Sequence, residues 1–159
     1  MILPENIESI GNFAFYNCSG FTGDLVIRNT IRLLGTGSFC LCSGFNGYLQ
    51  ISNDLSKIAD DAFKNCTGFH GNLTIPNSIR TIGISSFENC FGFDGYIKLS
   101  TNIATIDDRA FFNCYNLIGN LNFENDENLK SIGKEAFCNC SKLYGNLTFP
   151  DSVISIGDF

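Results

Sequence analysis

Apolar residues along the chain alternate between two spacings. Leu25 and Ile27, Leu49 and Ile51, and Leu73 and Ile75 stand two apart, while Ile31 and Leu34, Leu55 and Ile58, and Ile79 and Ile82 stand three apart. A two-residue period is that of a strand with one buried side. In "GNLTIP" it turns Leu73 and Ile75 inward and Asn72 and Thr74 outward. The block returns as "LVI", "LQI", "LTI", "IKL", "LNF" and "LTF". After it come Ile7, Ile31, Leu55, Ile79, Ile103, Leu129 and Val153, each followed three residues on by Ile or Leu. Cys18, Cys42, Cys66, Cys90, Cys114 and Cys140 are 24, 24, 24, 24 and 26 residues apart, each with a phenylalanine three residues before it. Gly23, Gly47, Gly71, Gly95, Gly119 and Gly145 follow five residues after the cysteines.

Six cysteine-bearing units and a partial seventh therefore fill residues 1–159. So short a unit cannot bury its own apolar face, but units stacked in register cover one another. The predicted fold is a leucine-rich-repeat-like solenoid, with short parallel strands stacked into a curved sheet and turns and short helical segments on the other side. Pro4, Pro76 and Pro150 fall at the strand end, where a missing amide donor is tolerated. Asn29, Asn53 and Asn77 come next, with side chains able to hold a turn. "SSFENC" reads as one helical turn. Gly11, Gly35, Gly83, Gly133 and Gly157, after the second apolar residue, read as positive-φ positions. Met1 and Phe159 both fall inside a unit. One uninterrupted solenoid is expected, as part of a longer array, with ends open to end-to-end association.

The pattern "LTIPNSIRTIG" followed by "SFENC" resembles the BspA-like leucine-rich repeats, also called the TpLRR class, over essentially the whole chain. Those repeats share L-x-I-P-x-x-[VI]-x-x-I-G-x-x-A-F-x-x-C. Ala14-Phe15, Ala62-Phe63, Ala110-Phe111 and Ala136-Phe137 match the "AF", and Ser38-Phe39 and Ser86-Phe87 differ by one small residue. Arg28, Ser52, Ser100 and Glu124 stand at the proline position, and "ENDENLKSIG" carries a two-residue insertion. The resemblance implies a cell-surface or secreted antigen or adhesin, of the kind found in bacteria and parasitic protists, binding host or extracellular-matrix proteins. An intracellular protein-interaction scaffold using the same surface is the alternative.

Composition narrows the chemistry. The formal net charge is −6, with only 16% charged residues, which argues against binding nucleic acid or an anionic membrane through bulk charge. No run approaches the roughly 18 apolar residues of a membrane span, and "ILPENIESIG" after Met1 has neither the basic start nor the apolar core of a signal peptide. The six periodic cysteines read as free, buried thiols, because in-register neighbours keep their Cβ atoms too far apart for a favourable disulfide. Cys40 and Cys138 are additional, four units apart and unable to bridge. No metal site is expected from them. His70, the single histidine, shares its column with Thr22, Asn46, Asp94, Ile118 and Tyr144, and no catalytic partner recurs beside it. Glu124, Asp126 and Glu127 read as a solvated acidic loop. Sequons at Asn17, Asn65, Asn72, Asn139 and Asn146 read largely as by-products of the repeat. No catalytic, cofactor-binding or metal residue is assigned, and the chain is read as no enzyme.

The outward strand columns remain. Asp24, Tyr48, Asn72, Tyr96, Asn120 and Asn146 form one, and Val26, Gln50, Thr74, Lys98, Asn122 and Thr148 the other. The inward columns hardly vary and these do. Tyr48, Gln50, Thr74, Tyr96 and Lys98 are the candidate partner-binding residues, because exposed tyrosines are the large amphipathic groups that binding surfaces favour.

Overall fold

The computed structural model describes residues 1, 3–121, 123 and 126–158. Each strand is two residues long. In chain order they are β1 (Ser9–Ile10), β2 (Leu25–Val26), β3 (Leu33–Leu34), β4 (Leu49–Gln50), β5 (Lys57–Ile58), β6 (Leu73–Thr74) and β7 (Thr81–Ile82). There follow β8 (Ile97–Lys98), β9 (Thr105–Ile106), β10 (Gly119–Asn120), β11 (Ser131–Ile132), β12 (Leu143–Tyr144) and β13 (Ser155–Ile156). All pairings are parallel, and all but β10-β12 join equivalent residues of neighbouring rungs, such as Leu73 with Ile97 and Ile82 with Ile106. The alternation in "GNLTIP" is as expected: Leu73 and Ile75 are buried, Asn72 and Thr74 exposed.

The sequence pointed to one strand ladder, and the solenoid has two. The even-numbered strands pair as β2-β4, β6-β8 and β10-β12. The odd-numbered strands include the longest sheet, β13-β11-β9-β7-β5, built on the second apolar residue of each Ile-x-x-Ile step. Rung five brings a further departure. Its even-numbered strand, β10, lies two residues ahead of the expected "LNF" and pairs with β12 ahead of "LTF", while Phe123 still donates to the Thr148 carbonyl as Ile75 does to that of Lys98. Leu147, read as inward, is half exposed.

No helix forms among the described residues, and "SSFENC" is a run of turns. The backbone amides explain this. Ser85, Phe87 and Asn89 donate forward to the carbonyls of Asp108, Ala110 and Phe112 in the next rung at 2.8–2.9 Å. Ser86, Glu88 and Cys90 donate back three residues to Gly83, Ser85 and Phe87 at 3.1–3.2 Å. A helix needs every amide for its own i−4 carbonyl; here the next rung takes every second one. The alternation is made possible by left-handed residues at Ser85 (φ 51°) and Asn89 (φ 60°) and their equivalents.

The left-handed conformation is therefore not at Gly11, Gly35, Gly83 or Gly133, as the sequence suggested, but two and six residues later, and Gly157 does not adopt it either. Apart from Gly11, which has open space where a Cβ would stand, these glycines serve close approach instead. A Cβ on Gly83 would collide with the Asp60 amide nitrogen and side chain of the preceding rung. Asn29 and Asn77 likewise reach across rungs and not within their own turns, each accepting from the amide one rung on, at Asn53 and Thr101. At the lengthened corner Asp126, not Glu124, takes the proline-equivalent place: Leu129 donates to the Asp126 carbonyl as Ile79 does to Pro76. Asp126 is thus buried, not solvated, and burial raises its carboxyl pKa. Glu127 is exposed; Glu124 and Asn122 lie outside the described residues.

The core is a set of columns. Phe15, Phe39, Phe63, Phe87, Phe111 and Phe137 stack with centroids 5.1–5.9 Å apart. Phe21, Phe45, Phe69 and Phe93 make a second column at 5.3–5.9 Å. All eight cysteines are free. Five thiols donate to the carbonyl of the preceding rung's phenylalanine: Cys42 to Phe15, Cys66 to Phe39, Cys90 to Phe63, Cys114 to Phe87 and Cys140 to Phe111, at 2.9–3.1 Å. Beside them Asn89, Asn113 and Asn139 each donate Nδ2 to Oδ1 of the asparagine one rung earlier at 2.8 Å. The "NC" of the repeat is thus a structural pair, and this gives the sequons at Asn65 and Asn139 a purpose unrelated to sugar.

Ser38 and Ser86 stand in the column otherwise filled by Ala14, Ala62, Ala110 and Ala136; both are fully buried, and their hydroxyls have no partner among the described residues. Removing an unsatisfied hydroxyl relieves its desolvation cost. Ser86→Ala should therefore raise stability by about 1 kcal/mol in urea unfolding. A loss of stability would mean that the hydroxyl has a partner.

Candidate functional site

The five predicted residues fall on one surface. Gln50, Thr74 and Lys98 are exposed on β4, β6 and β8. Tyr48 and Tyr96, each just ahead of its strand, are 59% and 60% exposed, among the most exposed large hydrophobic side chains of the molecule. Their backbones are fixed from the preceding rung. Tyr48 N donates to Asp24 Oδ1 at 2.8 Å, and Tyr96 N to Asn72 Oδ1 at 2.8 Å. The next loop column is anchored in the same way: Gly23 N donates to Asn46 Oδ1 and Gly71 N to Asp94 Oδ1, both at 2.7 Å. Each of these four Asn or Asp side chains spends one oxygen on the backbone and keeps its second polar atom on an exposed residue.

His70 belongs to this surface, which its variable column had concealed. Its ring meets that of Tyr48 edge-on, with centroids 4.6 Å apart and an interplanar angle of 72°. The edge of the Tyr48 ring also abuts Gly71, where a Cβ would stand 2.6 Å from Cε1. Tyr48 is therefore braced on the rung that follows it.

The turn side carries a different set of groups. Glu88, 6% exposed, lies 3.3 Å from both Lys64 Nζ and Arg109 Nη2. Arg109 also approaches Glu135 at 3.4 Å and covers the Phe112 ring at 4.2 Å. These charges neutralise one another across four rungs. The thiols are chemically quiet, since the thiolate is the nucleophile and burial pushes their pKa up. Cys42 rises to about 11 and Cys140 to about 12, while Cys66, Cys90 and Cys114 lie well above the usual range. Cys40 is raised by burial first and by Asp61 second. Among the described residues no three His, Cys, Asp or Glu side chains group as a metal site would require, and no helix is long and apolar enough to cross a membrane.

An apolar cavity of about 210 Å³ opens near the C-terminal end, lined by Phe123, Ile132, Phe137, Leu147, Phe149 and Ile156. These positions continue the inward columns, with Leu147 and Ile156 half exposed, and the cavity lies at one end of the stack, away from the tyrosine ladder.

Comparison with known proteins gives a consistent picture. The family described as "BspA type Leucine rich repeat region" matches in six copies, over residues 1–118 and 69–159. Among solved structures, the T. pallidum leucine rich repeat protein aligns at 22% identity and a TM-score of 0.67, over 95% of this chain and 67% of that one. A leucine-rich repeat protein from Bacteroides ovatus ATCC 8483 aligns at 25% identity and a TM-score of 0.64, over 96% of this chain and 44% of that one. A protein of Faecalibacterium prausnitzii A2-165, described as a leucine rich cell surface protein, aligns at 21% identity and a TM-score of 0.64. That alignment covers 96% of this chain but only 36% of the Faecalibacterium protein, so the chain spans little more than a third of its length. None of the curated proteins matches the chain.

Proposed function

We propose, from the premise that the chain belongs to the BspA-type leucine-rich repeat family, that residues 1–159 act as one non-enzymatic solenoid module that binds another protein. The module works at a cell surface or after secretion, as an adhesin or antigen directed at host or matrix proteins. The observation that carries this reading is the tyrosine ladder. Large amphipathic rings at Tyr48 and Tyr96 stand more than half exposed on backbones tied to the preceding rung. Groups held on a rigid sheet lose little conformational freedom on binding. The cell-surface description of the Faecalibacterium protein supports the location.

The test is binding to intact host cells and to immobilised matrix proteins. Tyr48→Ala combined with Tyr96→Ala should weaken binding by about 2 kcal/mol or more, roughly thirtyfold in Kd. The fold should survive, because both side chains are exposed. Glu127→Gln, on the lengthened corner, should leave binding unchanged. If the tyrosine pair has no effect and the corner variant abolishes binding, the surface lies on the corners.

End-to-end association is part of the same proposal. In residues 1–159 taken by themselves, strand β13 is last in its sheet, with Ile156 within it 54% exposed and Ile154 just before it 83% exposed. An open strand edge with apolar flanks is a template for pairing with another chain. The mass measured by light scattering should therefore rise with concentration, and Ile154→Lys should suppress the rise. A constant monomer mass would refute it.

A further inference from the structure

The tyrosine ladder has a geometry that protein binding alone does not call for. The backbones that carry Tyr48 and Tyr96 are two rungs apart, about 10 Å at the strand spacing. That separation equals one two-sugar repeat of an extended β-1,4-linked pyranose chain, in which alternate sugars present the same face. The polar groups around the rings match such a ligand too. Asp24, Asn46, Asn72 and Asp94 are each pinned through one oxygen to a backbone amide of a neighbouring rung. What is left over on these exposed side chains is two carboxylate oxygens, on Asp24 and Asp94, and two amide NH2 groups, on Asn46 and Asn72. Amide donors thus stand on the two inner rungs and carboxylate acceptors on the two outer ones, beside the two rings, with the hydroxyl of Thr74 on the rung between them. A sugar ring offers what this surface lacks: an apolar C–H face for each tyrosine and vicinal hydroxyls that both donate and accept.

We propose that this surface is a glycan-binding site for an extended, neutral β-1,4-linked chain running along the solenoid axis. Tyr48 and Tyr96 stack on sugars n and n+2, and the sugar between them lies over Asn72 and Thr74. His70, braced against Tyr48 at 4.6 Å, holds the first ring in place. The inference rests on the binding surface named above and gives its partner a chemical class, the saccharide part of a cell-surface or matrix component.

Calorimetric titration of the whole chain with cellohexaose, chitohexaose and maltohexaose tests it. At least one of the two β-linked hexasaccharides should bind, and at least about tenfold more tightly than maltohexaose, whose α-linked chain coils and cannot present sugars at this spacing. Tyr48→Ala and Tyr96→Ala should each cost about tenfold or more, while Tyr48→Phe, which keeps the ring, should stay within about threefold. His70→Ala should weaken binding less than Tyr48→Ala. Equal binding of maltohexaose, or β-glycan binding indifferent to both tyrosines, overturns the proposal. Failure of every hexasaccharide overturns it as well but leaves the protein-binding module standing if the cell and matrix assays still respond to the tyrosine pair. Loss of response in both experiments rejects the surface itself.

Discussion

Above about pH 8.5 the protein should lose stability on a steep alkaline limb. An unfolded cysteine titrates near 8.5, whereas burial holds Cys42 at about 11 and Cys140 at about 12, with Cys66, Cys90 and Cys114 also well above the usual range. Each of these thiols donates its proton to a carbonyl of the preceding rung, and no cation stands by to favour the thiolate. The folded pKa is raised, so the contribution is whole below the unfolded pKa. It is lost as pH rises towards the folded one, because the unfolded chain then releases protons that the folded chain keeps. Each thiol contributes a slope of up to about 1.4 kcal/mol per pH unit, so five together approach about 7 kcal/mol per unit. Cys42 has the lower of the two values and should leave this limb first. Urea midpoints at pH 7.5, 8.5 and 9.5 check the slope, and a midpoint that does not move through pH 9.5 would refute it. A thiol reagent gives independent access to the same property. It should react slowly with native protein at neutral pH and reach all eight cysteines after denaturation without reductant.

Phe87→Ala should cost about 3–5 kcal/mol, the range for removing a fully buried aromatic side chain. Phe87 is inaccessible to solvent and lies between Phe63 at 5.2 Å and Phe111 at 5.4 Å. The void cannot be filled from above or below, because the backbones that carry those rings are fixed by the forward amides of Phe63 and Phe111, which donate to the Ser86 and Ala136 carbonyls. Phe15→Ala should cost less, since Phe15 is only half-buried and has a single stacking neighbour in its column. In a stack where each rung touches only its neighbours, a central defect also uncouples the two halves. Unfolding of Phe87→Ala should accordingly broaden or split in two, which coincident circular dichroism and fluorescence transitions would exclude. Equal costs at Phe15 and Phe87 would contradict the column picture.

The solenoid was legible because repetition makes each column visible: the cysteine and phenylalanine columns run where they were expected, and the Leu-x-Ile alternation holds through the first four rungs. What escaped depends on the rung next door and not on the residue itself. The turns of "SSFENC" look helical by composition, yet half of their amides are claimed by the following rung. Gly83 looks like a positive-φ residue, but its neighbour is the Asp60 backbone. The second strand ladder was hidden by its length, since two residues show no periodicity. Among the site residues, Tyr48, Gln50, Thr74, Tyr96 and Lys98 do lie together and exposed. His70 was set aside because its column varies, and only the 4.6 Å ring contact brings it to the surface's edge. The anchoring of Asp24 and Asn72 was equally out of reach, because an Asx side chain bonding an amide 24 residues later leaves no local signature.

The lengthened corner at "ENDEN" has a practical consequence for protein engineering. Although Cys114 and Cys140 are 26 residues apart, the phenylalanine, cysteine and asparagine columns continue past the insertion. Phe111 and Phe137 stack at 5.1 Å, Cys140 reaches Phe111, and Asn139 reaches Asn113. Alignment between rungs is therefore restored by the turn side and the Ile-x-x-Ile strands, and the corner between the two strand ladders is a permissive splice point. Foreign loops grafted at the same corner of other rungs would be displayed side by side at the strand spacing, about 4.8 Å from one to the next. The array could thus serve as a ruler for presenting several peptides in a defined order.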